Sequence, residues 1–298
     1  MHMNRTIILV AGGDLRYGYT AQALAANDAY EVWAAGIPKK FLPDERIHLV
    51  ESAADGLPMC DVLLLPMPVS EDGVLVNAPF SRRHLPLQGF IPKVREGGLV
   101  LGGKFGKAQA VFQQAGLETV DYLAREELSM RNAVPTAEGV VQIMLEEMPR
   151  TIFGSRVLLL GFGRIGARMA MLLKAFGAQV TVAARDPAAR AGAEMLGCRS
   201  IPFTALQEAA LQADVICNTV PAKIITESVL KAIQQETLVL DLASKPGGVD
   251  WDAAQELGRQ VVWALSLPGK TAPVTAGEII AVTVAHILEE RRTAHGET

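Results

Sequence analysis

One stretch constrains this chain more than any other: residues 156–186, RVLLLGFGRIGARMAMLLKAFGAQVTVAARD. It opens on a continuous apolar run, residues 157–160, which suits a strand buried on both faces. Gly161 breaks the run, and Gly161, Gly163 and Gly166 complete a G-x-G-x-x-G. Ile165, Met169, Leu172, Leu173 and Phe176 then recur at helical spacing. Gly177 stands where a helix C-terminal glycine belongs, and residues 179–183 form the next strand. A strand–turn–helix–strand unit of about 30 residues is the context that separates a nucleotide-binding glycine motif from an ordinary glycine-rich turn.

Each glycine has its own chemical reason. Gly161 permits the tight turn, Gly163 lets backbone approach a pyrophosphate, and Gly166 lets the helix pack close to the strand. Arg164 and Ile165 open that helix, whose N-terminus offers unpaired N–H groups and a positive dipole end. The end of the second strand selects the nucleotide. An NAD-binding unit places an acid there for the ribose 2′-OH. Here Ala184 takes that position and Arg185 follows, which predicts a 2′-phosphate and so NADP. Asp186-Pro187 has two readings, a nucleotide-facing carboxylate or an N-cap with a first-turn proline, and the cap is preferred.

The 298 residues accommodate two domains, and 50% hydrophobic against 20% charged residues implies sizeable cores. A net charge of −4 without a long basic block argues against nucleic acid. The longest apolar candidate for a membrane span, residues 279–288, is too short and is bracketed by Glu278 and Glu289. Met1-His2-Met3 reads as an expression remnant. Cys60, Cys198 and Cys217 lack metal or redox spacing, so they read as core residues of a cytoplasmic protein, with no metal site.

The chain before the glycine unit alternates strand and helix: strands at 6–10, 30–34, 61–65, 99–101 and 118–122, and a helix reaching about Ala26. Its GGDLR turn lacks a third glycine, so it reads as an ordinary turn that places Asp14 and Arg16 toward a ligand, with Arg16 pairing a substrate carboxylate. Loops 66–70 and 102–106 also follow strands, and Lys104 reads as solvated. His48 and His84 fall in polar, loop-like segments and read as surface residues, whereas His286 reads as structural. Thr136 caps a predicted helix over residues 137–147 that bridges the domains with its N-terminus facing a cleft, so Asn132 and Thr136 become substrate or nicotinamide contacts.

After the glycine unit come strands at 198–202, 214–218, 237–241 and 260–264, six in all from Arg156. The loops after two of them, with Thr219, Val220 and Pro221, then Leu242, Ala243 and Ser244, are expected to line the cofactor. Lys245 reaches a carboxylate or phosphate. A final helix over residues 275–292 carries a stripe of Ile279, Val282 and Ile287. The prediction is an α/β chain with two doubly wound domains: residues 1–131 for substrate, with the C-terminal helix 275–298 packing on it, and residues 132–274 as a Rossmann domain for NADP.

NAVPTAEG, LLLGFGRIG, AAR, NTVPA, DLASKPGG and LPGKTAPVTAGEI, in this order, strongly resemble the A subunits of bacterial dipicolinate synthase over nearly the whole chain. DLASKPGG with LPGKTAPVTAGE is far more specific than the glycine motif alone. A looser similarity is to the D-2-hydroxyacid dehydrogenases. The first resemblance implies NADP-linked oxidation of dihydrodipicolinate, a small dicarboxylate, to dipicolinate. It also implies a partner, the flavoprotein-like B subunit of that enzyme. An oligomer and the mother cell of a sporulating bacterium are implied with it. Gly161, Gly163, Gly166 and Arg185 carry over as cofactor residues; no catalytic residue does. Two alternatives stay open: a non-catalytic NADP(H)-binding scaffold, and a hydroxyacid dehydrogenase. Against the latter, no histidine lies between His84 and His286, where its acid–base would stand.

Overall fold

The computed structural model describes residues 5–50, 56–294 and 296; Met1-His2-Met3 lies outside them. In chain order the elements are β1 (Thr6–Ala11), α1 (Leu15–Ala25), β2 (Tyr30–Ala35), β3 (Ile47–Val50), β4 (Cys60–Leu64), β5 (Val94–Gly102), α2 (Ala108–Gln114), β6 (Glu118–Asp121) and α3 (Glu126–Glu147). There follow β7 (Arg156–Leu160), α4 (Arg164–Ala175), β8 (Gln179–Ala183), α5 (Pro187–Met195), β9 (Arg199–Ile201), α6 (Leu206–Ala210) and β10 (Val215–Asn218). The chain closes with α7 (Glu227–Ala232), β11 (Leu238–Asp241), α8 (Trp251–Glu256), β12 (Val261–Trp263), α9 (Leu267–Thr271) and α10 (Pro273–Ala294).

Two compact units result: Met1–Asn132 with Ala272–Thr298, and Ala133–Thr271. Each holds one six-stranded sheet in which every pairing is parallel. The first runs β3-β2-β1-β4-β5-β6 and the second β12-β11-β10-β7-β8-β9. Numbered from its own first strand, each has the doubly wound order 3-2-1-4-5-6. The order reverses between β1 and β4 and between β7 and β10, so each sheet opens a crevice at the carboxyl ends of those strands.

Period-two burial explains the second sheet. Val157 and Leu159 face one core with α4 residues Met169, Ala170 and Leu173, while Leu158 and Leu160 face the other with Ile216, Val229 and Leu230. In the first unit, α10 lays Ile280, Val284, Ile287 and Leu288 into the core that holds Tyr17, Ala21 and Leu24 of α1. A Cβ on Gly277 would stand 2.5 Å from the Arg16 carbonyl oxygen, so only glycine permits this approach. All three cysteines are buried and unpaired.

Several sequence expectations need correction. Thr136 does not start a helix: α3 begins at Glu126 and runs through Pro135 and Thr136. Buried residues supply the reason. Leu128 enters the core of the first unit, and Ala137, Val140, Val141 and Met144 enter that of the second. That burial outweighs the one bond Pro135 cannot donate. His48 lies on β3 rather than in a loop, exposed and against the Trp33 ring at 4.6 Å; His84 is in a loop and exposed. Val282 is partly exposed, so the inward face of α10 is built from Ile279, Ile280, Val284 and Ile287. Between β12 and α10 stands α9, for which the sequence offered no reading.

One aspartate ties the central strands of each sheet. Asp61 accepts from the Ile7 N–H at 2.7 Å and pairs with Arg95, and Asp214 accepts from the Arg156 N–H at 2.7 Å and from its guanidinium. Partial burial alone would raise the Asp214 carboxyl, but the Arg156 side chain and N–H hold it below its ordinary value. The linked stability is therefore present above the unfolded carboxylate range and is lost as pH falls through the depressed value. Asp214→Asn is expected to lower stability by about 1–2 kcal/mol at neutral pH. Denaturant midpoints should show the gap to wild type closing as pH falls below the ordinary carboxylate range.

Candidate functional site

The crevice of the second sheet is built from the glycine turn upward. Gly161 follows β7 at φ +93°, a left-handed backbone, and a Cβ there would lie 2.5 Å from Thr219 Oγ1. The Thr219 hydroxyl donates to the Leu160 carbonyl at 2.8 Å, fastening the β10 loop to the β7 end. A Cβ on Gly166 would collide with the Gly161 carbonyl oxygen. Gly163 differs: it is the N-cap of α4, and a Cβ there would meet nothing within 4 Å. Open space over an N-terminus without a side-chain cap fits a diphosphate held by backbone N–H groups. Arg164 is exposed and Ile165 half-buried in the first turn.

The end of β8 carries the nucleotide-selecting residues. Ala184 is buried and Arg185 exposed. Asp186 caps α5, accepting from the Ala188 N–H at 2.9 Å, with Pro187 in the first turn. Its carboxylate is thus engaged by helix N–H rather than left to hold a ribose hydroxyl. Sequence reasoning passed over Arg190, whose Nη1 donates to the Ala184 and Arg185 carbonyls, both at 2.9 Å.

Two loops flank the turn, and a wholly buried pair organises both. Asn218 and Asp241 end β10 and β11 with no exposed surface. Asn218 Nδ2 donates to Asp241 Oδ1 at 2.9 Å, while Asn218 Oδ1 accepts from the Val220 N–H. Asp241 also accepts from the N–H groups of Ala243 at 3.1 Å and Gly248 at 2.7 Å. Leu242 N–H is bound to the Asn218 carbonyl, and the Ala243 carbonyl accepts from Trp263 Nε1. Of the residues assigned to this loop, Ser244 and Lys245 remain exposed, as does Pro221 on the other; Thr219 and Val220 are half-buried. The signal for the missed pair was present: one polar residue closes each of two otherwise apolar strands, VICN and LVLD.

In the first unit the GGDLR turn closes on itself. Arg16 is buried and grips Asp14 through Nε at 2.9 Å and Nη2 at 2.7 Å, leaving Nη1. Burial would lower the Arg16 pKa, but the bond to Asp14 holds it above its ordinary value, so the cation is permanent. Beneath lies a hydroxyl pair: Tyr17 and Tyr122 at 2.6 Å, with Tyr122 donating to the Leu65 carbonyl. Burial pushes Tyr17 up to about 12 and holds Tyr122 well above its ordinary value, so neither serves as a base near neutrality. Asn132 is half-buried and Thr136 buried, both within α3.

Residues 7–123 match the family described as the N-terminal domain of the dipicolinate synthase A subunit. Residues 123–243 match D-isomer specific 2-hydroxyacid dehydrogenase, NAD binding domain. The A subunit of dipicolinate synthase from Bacillus subtilis (strain 168) is 30% identical over 294 residues, covering 97% of this chain and 98% of the relative. The crystal structure of the dipicolinate synthase A subunit from Bacillus halodurans superposes with a TM-score of 0.88 at 28% identity, over 95% of this chain and 97% of that one. Transhydrogenase from Sinorhizobium meliloti, with a TM-score of 0.74 and 17% identity over 96% and 94% of the chains, shares the fold alone.

The contrast between Gly163 and Gly166 is testable. Gly163→Val should leave the melting temperature near that of wild type while weakening dinucleotide binding at least about tenfold, because it fills ligand space. Gly166→Val should lower the melting temperature by several degrees, because it pushes α4 off β7. Calorimetric titration beside thermal unfolding reads both.

Proposed function

Because the chain belongs to the family of dipicolinate synthase A subunits, we propose that it oxidises dihydrodipicolinate to dipicolinate with NADP⁺. The dehydrogenase-type NAD-binding domain supports a nicotinamide dinucleotide. One observation carries the choice of NADP: at the end of β8, buried Ala184 stands where an acid would, and exposed Arg185 follows, with no carboxylate partner among the described residues. When bound, NADP⁺ supplies the hydride acceptor. Loss of a hydride from a ring carbon and of a proton turns the dihydropyridine into an aromatic pyridine.

The chain's own residues bind and orient. The α4 N-terminus at Gly163, Arg164 and Ile165 holds the diphosphate, and Arg185 the 2′-phosphate. The loops with Thr219 to Pro221 and with Leu242 to Ser244, fixed by Thr219 and Asn218, line the cofactor, one at the adenine-side ribose and the other at the nicotinamide ribose. The two substrate carboxylates need cations or N–H groups, for which Arg16 through Nη1, Lys245, Asn132 and Thr136 are the candidates, with Asp14 fixing Arg16. The first unit carries substrate and the second the dinucleotide. A flavoprotein-like B subunit is the proposed partner, the assembly an oligomer, and the setting the mother-cell cytoplasm. A second reading, a non-catalytic NADP(H)-binding subunit, draws on the buried, engaged tyrosines and on the lack of a histidine in the second unit.

Absorbance of NADPH discriminates the two. The purified chain, alone and with its partner, is mixed with dihydrodipicolinate and either NADP⁺ or NAD⁺. Catalysis predicts NADPH formation, with kcat/KM for NADP⁺ at least about tenfold above that for NAD⁺ and most of this preference lost in Arg185→Ala. Tight NADPH binding without turnover under either condition would establish the binding-only reading instead.

A further inference from the structure

The structure assigns Arg190 a role in nucleotide choice: we propose that it is the second guanidinium of the 2′-phosphate site, joining the exposed Arg185. The inference rests on the NADP reading above. Its ground is geometric. Arg190 Nη1 is bonded to two successive carbonyls, those of Ala184 and Arg185, at 2.9 Å each. These are the carbonyls at the carboxyl end of β8, where a Rossmann unit receives the adenine-side ribose. The guanidinium is therefore fixed at that spot before any ligand arrives.

Its charge is also unspent. Carbonyl oxygens orient a guanidinium without neutralising it, and among the described residues Arg190 has no carboxylate partner. The acids around it are engaged elsewhere: Asp186 with the Ala188 N–H and Glu194 with the Ser200 hydroxyl. With Nη1 committed, Nε and Nη2 remain as donors in a rigid fork, the arrangement that suits phosphate oxygens. Arg190 is half-buried and held by two bonds, so little side-chain entropy is lost when an anion binds. Arg185, exposed and without a carboxylate partner among the described residues, supplies the other guanidinium.

A purely structural role, in which Arg190 only covers two carbonyls, makes a different prediction. The test is calorimetric titration of the full chain with 2′,5′-ADP and with 5′-ADP, which differ only in where the second phosphate sits. Wild type should favour 2′,5′-ADP; equal affinity would sink the NADP reading itself, before any variant is made. Arg190→Gln keeps an amide donor for the carbonyls and removes the cation. It should lose at least about tenfold for 2′,5′-ADP and less than about twofold for 5′-ADP. A wild-type preference in Arg190→Gln, or equal loss of both ligands, overturns the proposal. Should Arg190→Gln not fold, Arg190→Lys gives the same readout: a reduced preference for 2′,5′-ADP supports the role, and an unchanged one refutes it.

Discussion

The loops that follow β10 and β11 are organised by one buried contact, the amide of Asn218 against the carboxylate of Asp241. Neither side chain has any exposed surface, and a buried carboxylate is tolerable only when its oxygens are fully bonded. Asp241 meets that condition with one amide, that of Asn218 at the end of β10, and two backbone N–H groups, Ala243 and Gly248, of the loop that follows β11. Removing either partner would leave a polar group stranded at the ends of two central strands. The polar pair therefore helps convert the stiffness of the sheet into the position of residues 219–221 and 242–248, together with the Thr219 tie to the Leu160 carbonyl and the Ile224 and Ile225 N–H bonds to the Gly248 carbonyl. Trp263 adds one more tie through the Ala243 carbonyl.

Much of this architecture was legible in the residues because local and long-range preferences agreed. β8 spans the residues its pattern indicated, Gly177 closes the helix at positive φ, and Asp186 caps the next one. Each of these signals acts within a few residues, and the surrounding fold does nothing to oppose it. Two doubly wound domains followed from counting alternations, with six strands expected in the second and five in the first, since right-handed crossovers leave few other ways to bury strands that are apolar on both faces; the sixth strand of the first sheet was not among them.

What stayed hidden was set by tertiary contact. Pro135 and Thr136 carry a strong local signature of a helix start, and apolar burial on both sides overrode it. β3 is a four-residue edge strand with an exposed His48 and reads locally as a loop; it is a strand because β2 offers it a partner. Val282 looked as apolar as its neighbours, and only the angle around α10 decides that Ile280 and Val284 point inward instead. Arg190 had no motif at all. Its relevance comes from where α5 brings its guanidinium, which no spacing rule states.

The twin sheets also explain why only one of them is expected to take a dinucleotide. Aligned on their N-caps, Gly12 corresponds to Gly161, Asp14 to Gly163 and Tyr17 to Gly166. At the cap, the second unit has empty space, whereas the first has a carboxylate that accepts the Arg16 N–H and pairs with the Arg16 guanidinium. That carboxylate already answers the positive end of α1 and would repel a phosphate brought to the same place. Three residues on, where Gly166 leaves no side chain, Tyr17 fills the crevice and ties itself to Tyr122 and hence to the Leu65 carbonyl. The backbone plan is repeated, but the first copy has its anion seat satisfied from within. What it can still offer a ligand is a permanently charged, pre-oriented guanidinium edge, a chemistry suited to a single carboxylate rather than to a diphosphate.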